Sequence, residues 1–172
     1  MIYVIDTCVF RKLLDHLPRK GSYFEKVWNK FENGIIAKNY ISVDECFNEL
    51  DKHYDDKNAN ALWLKKYKDM FLSPTNEESL IIKEIFTSAK MRESVHAKNI
   101  LDNRPSADVF LAAKAKTRNA IVVTVESYKP NSAQLPNICE KIGVQFISYD
   151  DFMEILMQNE SFDNPSTSSV RN

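Results

Sequence analysis

Glycine is the residue type whose scarcity is most informative in this sequence. Only 3 of the 172 residues are glycine, so neither G-x-G-x-x-G nor G-x-x-x-x-G-K-S/T, the glycine-rich loops that hold phosphates, can be written anywhere in the chain. This shortage argues against P-loop enzymes and dinucleotide-binding enzymes. It also disfavours an α/β protein that holds a nucleotide in the cleft where the strand order of its sheet reverses.

Cysteine is equally sparse, and its spacing excludes two kinds of stabilised domain. Cys8, Cys46 and Cys139 are an odd number at wide spacings, which fits neither a zinc-ligand pattern nor a disulfide framework. No apolar run approaches the length of a membrane span, and an acid already at residue 6 predicts that there is no signal peptide. We therefore expect a protein of the reducing cytoplasm with no membrane partner.

The net charge of the chain is close to zero. It carries 23 lysines and arginines against 24 aspartates and glutamates, for a formal net charge of −1. A protein that binds nucleic acid tightly and without specificity is normally basic, so this class is disfavoured. A nuclease is not excluded, because acidic metal ligands offset a basic rim in the sum. The length suits one domain with a sizeable core.

Short β-prone runs without polar alternation predict strands that are buried on both faces, as in a parallel sheet. The clear runs are residues 2–5, 120–125 and 144–148, and a weaker one lies at 39–42. Patterns typical of helices separate them. The sequence therefore predicts an α/β fold with a central parallel sheet of about four or five strands flanked by helices.

Helix starts and stops can be assigned at several points. Three Ser/Thr-x-x-Glu sequences match the capping box. The helix that begins at the first of them, at Ser22, is expected to stop at Asn33-Gly34. An apolar stripe predicts a helix over 107–118, and two short helices are expected over 136–142, closed by glycine, and over 150–157. The three boxes are Ser22 with Glu25, Ser42 with Glu45, and Thr75 with Glu78.

The domain organisation is simple. Residues 1–157 are predicted to form one domain, in which about 52–103 is a helical insert without a convincing strand. Residues 158–172 are polar, lack apolar periodicity and include Pro-Ser-Thr-Ser-Ser, which predicts a disordered tail.

Acidic residues follow the predicted strands. Asp6 ends the first strand, Glu126 ends the run 120–125, and Asp108 opens the helix after the insert. Glu45 and Glu49 lie in the helix that follows the weak strand. Ligands of open parallel sheets bind outside the carboxyl ends of the strands, so these acids are expected at one edge. Converging carboxylates imply a cation, and oxygen ligands favour Mg²⁺ or Mn²⁺. Taken singly, each acid is more simply a cap or a solvated charge.

Three segments carry a resemblance to a known family. Residues 5–10 (Ile-Asp-Thr-Cys-Val-Phe) are similar to the opening motif of PIN domains, 106–115 to their third motif, and 122–126 (Val-Val-Thr-Val-Glu) to their fourth. Residues 135–144, Leu-Pro-Asn-Ile-Cys-Glu-Lys-Ile-Gly-Val, resemble a segment of one bacterial PIN branch. The sequence thus resembles the PIN-domain superfamily over about residues 1–157.

The resemblance implies a Rossmann-like fold and a Mg²⁺- or Mn²⁺-dependent endoribonuclease. Many relatives are the toxin of a VapC-type toxin–antitoxin pair, so a cognate antitoxin and a homodimer are implied as partners beside the RNA substrate. The matched acidic ligands are Asp6, Asp108 and Glu126. Thr7 and Thr124 match the polar residues that orient these acids.

The second acidic ligand can be either of two glutamates, and the first motif differs from the family pattern at one residue. Glu49 fits the family's apolar-x-x-Glu-Leu pattern, whereas Glu45 has a capping role in the predicted box, so Glu49 is preferred and Glu45 is the alternative. Cys8 stands where the family usually has asparagine. We interpret it as a packing residue rather than a thiolate nucleophile.

The remaining candidates concern RNA binding. Four cations flank the acidic motifs and are candidates for phosphate contacts. Tryptophans at a helical spacing are more often core residues than base-stacking residues, so Trp28 and Trp63 are expected in the core. The histidines are expected at the surface. The competing hypothesis is a non-catalytic PIN-fold module that binds RNA or another protein. The four cations are Arg11, Lys12, Arg104 and Lys129, and the histidines are His16, His53 and His96.

Overall fold

Five parallel strands form one sheet in a computed structural model that describes residues 1–87, 107–130, 132 and 134–157. Helices flank this sheet, so the predicted α/β fold is confirmed, as are the strands at its four predicted positions. The strands are β1 (Tyr3–Ile5), β2 (Tyr40–Val43), β3 (Phe71–Leu72), β4 (Ile121–Thr124) and β5 (Phe146–Ser148).

Helices lie between successive strands in the chain, as the crossover connections of parallel strands require. Among the described residues, no helix is both long and apolar enough to cross a membrane. The helices are α1 (Thr7–His16), α2 (Ser22–Ile36), α3 (Asp44–His53), α4 (Ala59–Lys66), α5 (Asn76–Thr87), α6 (Ala107–Arg118), α7 (Leu135–Ile142) and α8 (Tyr149–Met157), with a 3₁₀ turn at Lys68–Met70.

The sheet order is β3-β2-β1-β4-β5, and it reverses at β1. The chain moves outward from β1 to β2 and β3, then returns to place β4 on the other side of β1. Ile5 pairs with Val123, and the Asp6 N–H donates to the Val123 carbonyl at 3.1 Å. The crevice between the carboxyl ends of β1 and β4 is therefore the switch point at which such sheets bind ligands.

Aromatic side chains fill the core on one face of the sheet. The Trp28 and Trp63 side chains are 5% and 6% exposed, and the Phe31 ring stacks on Trp63 with centroids 6.0 Å apart. Phe10 of α1 packs against Phe31 and Trp63. The interpretation of both tryptophans as core residues is therefore confirmed.

The stretch from 52 to 103 is not free of strands. Its helices α4 and α5 match the expectation, but Phe71–Leu72 forms β3, which pairs with Ser42 and Val43 at the edge of the sheet. The prediction of no strand there was wrong, because two residues are too few to show an apolar periodicity. Residues 88–103 and the expected tail 158–172 lie outside the described residues, and the domain limits stay a prediction.

The helix boundaries confirm some sequence signals and correct others. The Thr75–Glu78 capping box is confirmed: the Glu78 N–H donates to Thr75 Oγ1 at 3.2 Å, and the Thr75 N–H donates to Glu78 Oε2 at 2.9 Å. In α2, Gly21 rather than Ser22 is the N-cap residue, and its N–H donates to Glu25 Oε1 at 3.3 Å.

The capping box predicted at Ser42 and Glu45 was wrong. Ser42 is buried within β2, where its hydroxyl donates to the Ile5 carbonyl at 2.7 Å. Helix α3 starts after Val43, and no side chain caps it. Short Ser-x-x-Glu matches are common, and here the hydroxyl joins two strands instead of capping a helix.

Gly34 was predicted to end α2, but it lies inside that helix. The helix continues to Ile36, and the glycine is required by space rather than by backbone conformation. A Cβ at position 34 would lie 2.1 Å from Cε2 of the Tyr40 ring. Tyr40 in turn stacks on Phe31 with centroids 5.6 Å apart. By contrast, Gly143 closes α7 in the left-handed conformation (φ 68°) as predicted.

A buried ion pair joins α5 to α6. Lys114 and Glu78 are each 1% exposed, and the Lys114 Nζ lies 2.7 Å from Glu78 Oε2. The ammonium also donates to the Ser73 carbonyl at 2.9 Å, and Thr117 donates to Glu78 Oε1 at 3.0 Å. Burial acts to raise the pKa of Glu78, but the bond to Lys114 and the Thr75 N–H outweigh it and hold that pKa below its usual value.

Replacing Gly34 with alanine is expected to destabilise the protein. Alanine in a helix interior gains up to about 1 kcal/mol over glycine, but the overlap with the Tyr40 ring costs about 1–3 kcal/mol, so thermal unfolding of Gly34→Ala should occur at a lower temperature. The control is the same change in a Tyr40→Ala background, where the overlap is absent. If Gly34→Ala destabilises both backgrounds equally, the close approach to Tyr40 is not its cause.

Candidate metal centre

Asp6 lies at the centre of the switch-point crevice. It is the N-cap residue of α1, but its side chain makes no capping hydrogen bond. Instead, Oδ2 accepts hydrogen bonds from the Cys8 thiol and from Thr124 Oγ1, the latter at 2.7 Å. Within the described part of the chain, nothing donates to Oδ1. One carboxylate oxygen is thus held in place while the other is left for a ligand.

The environment of Asp6 opposes its negative charge. The side chain is 6% exposed, and burial, together with the charges of Asp108 and Glu126, raises its pKa from 3.8 to about 6, although the bonds from Cys8 and Thr124 act in the opposite direction. The Asp108 and Glu126 carboxylates are therefore close enough to Asp6 for their charges to repel it. Such repulsion is relieved by a bound cation.

Cys8 has a structural role at this site that the sequence did not reveal. Its thiol donates to Asp6, lies 3.6 Å from Thr124 Oγ1 and accepts the Val125 N–H at 3.4 Å. Burial, followed by the nearby Asp6 charge, raises its pKa far above the usual value. The thiol is therefore protonated and acts as a donor rather than as a nucleophile. Its position in the first turn of α1, two residues after Asp6, was the available signal.

Asp108 approaches from α6. It is the second residue of that helix and is 7% exposed, and its charge acts on Asp6. The positive end of the helix dipole stabilises a carboxylate in the first turn. Asp108 therefore brings a second buried carboxylate to the surroundings of Asp6.

Glu126 links the end of β4 to the start of α7. Its N–H donates to Thr124 Oγ1 at 3.1 Å, and its Oε2 accepts the Leu135 N–H at 3.0 Å. Asn137 closes the intervening loop by donating to the Lys129 carbonyl at 2.7 Å. The carboxylate is therefore positioned by α7, and its charge still reaches Asp6.

Glu49 and Glu45 lie one turn apart on α3 and differ in their surroundings. Glu49 is exposed, and its Oε2 accepts the Thr7 hydroxyl at 2.7 Å. Glu45 is half-buried, and its Oε2 is buried without a hydrogen-bond partner among the described residues. Burial raises the pKa of Glu45. Since Glu45 does not cap α3, the original reason for preferring Glu49 no longer holds, and the family pattern alone favours it.

The chemical type of these donors suits a hard divalent cation. All of them are carboxylates, which Mg²⁺ and Mn²⁺ prefer, and the unpartnered oxygens of Asp6 and Glu45 are available as ligands. As placed, however, no three His, Cys, Asp or Glu side chains in the described ranges are grouped so that they could hold a metal ion. Glu126 and Glu49 each direct one oxygen to a hydrogen bond within the protein.

Three of the four predicted RNA-binding cations lie in the described part of the chain. Arg11 and Lys12 are exposed on α1, and the Lys12 Nζ lies 4.4 Å from the centroid of the Tyr149 ring. Lys129 is exposed in the loop before α7, whereas Arg104 lies outside the described residues. His16 and His53 are at the surface, as expected, and His96 is outside the described residues.

The sequence of the chain matches one family model. The family is described as a domain of unknown function (DUF4411), and the match covers residues 3–160. The chain belongs to this family. No curated protein matches it.

Solved structures similar to this DUF4411 chain share little sequence with it. One is VapBC-1 from nontypeable Haemophilus influenzae, at 14% identity and a TM-score of 0.49, covering 87% of this chain and 99% of that chain. Another is VapBC2 from Rickettsia felis bound to a DNA fragment from their promoter, at 15% identity and a TM-score of 0.47, covering 86% and 98%. The fold assignment rests on the sheet order itself.

Replacing Asp6 with asparagine is expected to stabilise the metal-free protein at neutral pH. A folded-state pKa of about 6, above the unfolded value near 3.8, means that this group's contribution to stability is full below 3.8 and is lost as the pH rises through 6. The advantage of Asp6→Asn should therefore be absent near pH 4 and reach about 3 kcal/mol at most by pH 8. Asparagine can still accept both hydrogen bonds at Oδ1.

Thermal unfolding without Mn²⁺ tests this expectation, and thermal unfolding with Mn²⁺ tests whether Asp6 is a metal ligand. Wild-type protein in chelator should unfold at a lower temperature than Asp6→Asn at pH 8, and Mn²⁺ should stabilise the wild type more than the variant. Asp56→Asn, a change at an exposed acid, serves as the control. A variant no more stable than wild type at pH 8, or an equal Mn²⁺ effect on both, contradicts the account.

Proposed function

We propose that this protein is a PIN-type, divalent-metal-dependent endoribonuclease. The observation that carries the proposal is the buried Asp6 carboxylate at the switch point, whose pKa is raised by burial and by Asp108 and Glu126. Perturbed acids in a crevice at the carboxyl ends of parallel strands are typical of catalytic sites. The three motifs that resemble PIN domains supply these same three acids.

The residues divide into ligands, positioning residues and substrate contacts. Asp6, Asp108, Glu126 and Glu49, with Glu45 as the alternative, would hold Mg²⁺ or Mn²⁺. When bound, the cation supplies an activated water and neutralises charge on the phosphodiester. Thr124 and Cys8 fix one oxygen of Asp6, and Thr7 fixes Glu49. The exposed cations Arg11, Lys12 and Lys129 would contact RNA phosphates. Arg104, which flanks the same motifs in the sequence, is a fourth candidate for this role.

The biological setting that we propose follows from the same resemblance. The protein would act in the cytoplasm as the toxin of a type II toxin–antitoxin pair, bound by a cognate antitoxin until released, and it would form a homodimer as PIN relatives do. Its substrate would be a cellular RNA.

Loss of a ligand should remove cleavage without unfolding the protein. Asp6→Asn and Asp108→Asn should each lower Mn²⁺-dependent cleavage of a labelled single-stranded RNA by at least about 100-fold, since the metal provides much of the catalysis. Asp56→Asn should keep full activity, and chelator should abolish it. Full activity of Asp6→Asn overturns the assignment. RNA binding without cleavage by wild-type protein in either metal supports a non-catalytic module instead.

Paired substitutions on α3 identify the second acid. Glu49→Gln should lower cleavage at least about tenfold, whereas Glu45→Gln should lower it less and should raise stability, because the buried charge of Glu45 is removed. The two variants are compared across a Mn²⁺ titration. Loss of a metal ligand raises the Mn²⁺ concentration that is needed for a half-maximal cleavage rate. The opposite ranking assigns the second ligand to Glu45.

A further inference from the structure

A groove of about 730 Å³ opens at the edge of the sheet opposite the carboxylates. It lies where β1, β2 and β3 begin, so its position separates it from the switch-point crevice. Its base is aliphatic, formed by buried side chains that include Ile35, Ile41 and Met70. Cavities of this size are typical of binding sites.

Cations dominate the rim of this groove, which we call the basal groove. Lys38, Lys66 and Arg118 line it and are exposed, and Asp69 is the acid among its lining residues. Lys66 lies 3.8 Å from Glu32. In the described part of the chain, no acid lies within salt-bridge distance of Lys38 or Arg118. Lys38 and Arg118 therefore give the basal groove positive charge that none of the described residues neutralises.

Exposed apolar side chains continue the base of the groove outward. Ile36, at the end of α2, is 70% exposed and lines the groove. Leu62 is 60% exposed and lies one helical turn before Lys66 on the same face of α4. Large apolar side chains left in water beside a polar rim mark interaction surfaces.

We propose that the basal groove binds an acidic segment of another protein that carries bulky apolar side chains. Apolar side chains of the segment would enter the groove beside Ile36, and its carboxylates would lie against Lys38, Lys66 and Arg118. Such charge complementarity gives specificity and speeds association. This binding site is independent of the nuclease proposal, because its residues are at the other end of β1 from Asp6.

The chemistry of the groove favours protein over RNA. Single-stranded RNA would use the same cations, but its bases need exposed aromatic faces on which to stack. Tyr67 is 8% exposed, and the Tyr40 ring, which is only partly exposed, packs against Gly34 and already stacks on Phe31. The remaining base is aliphatic, which suits leucine or isoleucine side chains rather than nucleobases.

The test uses the full chain and a fluorescein-labelled synthetic peptide of glutamate and leucine, with binding followed by anisotropy. Arg118→Glu and Ile36→Ser should each weaken binding about tenfold, and added salt should weaken it further. The matched control is Lys30→Glu, because Lys30 lines a different groove between α2 and α8. That variant should bind the peptide as wild type does, and a lysine–leucine peptide should not bind.

Three outcomes would overturn the proposal. Equal weakening by Lys30→Glu means that the attraction is diffuse rather than local. Binding of labelled RNA that is lost in Arg118→Glu, without binding of the acidic peptide, assigns the groove to RNA. Self-association in sedimentation that Ile36→Ser removes, again without peptide binding, assigns it to a second copy. Arg118 and Ile36 are exposed and Lys30 is partly exposed, and unchanged thermal unfolding verifies that each variant is folded.

Discussion

The pairing of β1 with β4 is the constraint on which the rest of this structure depends. Ile5 is in register with Val123, and the Asp6 N–H extends the ladder by one bond to the Val123 carbonyl. Both strands therefore leave the sheet at the same level. Asp6 and Thr124 emerge side by side, and their hydrogen bond follows from this register. A slip of one residue would direct these side chains to opposite faces.

The buried carboxylate that results is a burden on the fold. An ionised Asp6 beside Asp108 and Glu126 is less stable in the folded chain than in water, and the Cys8 and Thr124 donors compensate for only part of the difference. Strain of this kind persists where the surrounding structure fixes it, and it is concentrated at functional sites. A cation held by these acids, as proposed above, would offset that cost.

The sequence was sufficient for the features that depend on local patterns. The strands containing Val4, Ile41, Val122 and Ile147 were found because uninterrupted β-prone runs are distinctive, and the acids at their ends followed from sheet topology. Features that depend on tertiary contacts were missed. Gly34 looked like a helix stop because nothing nearby in sequence indicates the Tyr40 ring. The two-residue strand β3 exists because Ser42 and Val43 pair with it, and its own residues do not show it.

The site shows the same division. Residue types at strand ends were the basis for predicting which acids belong together, and that grouping stays a prediction. The orientation of each side chain is decided by partners far away in sequence. Glu126 directs one oxygen to Leu135, and the Ser42 hydroxyl bonds to Ile5 instead of capping α3. No local rule separates a capping serine from one that bridges two strands. Hence the choice between Glu45 and Glu49 could not be made from sequence.

The buried pair of Lys114 and Glu78 has a consequence for how this family can vary. Removing one partner leaves an unpaired charge in the core, which lowers the free energy of unfolding by about 3–5 kcal/mol. Replacing both residues with apolar ones of similar size is close to neutral. Single changes at either position are therefore expected to be disfavoured. Members of the family should either keep both residues or have lost both, so the two positions are expected to change together across its sequences.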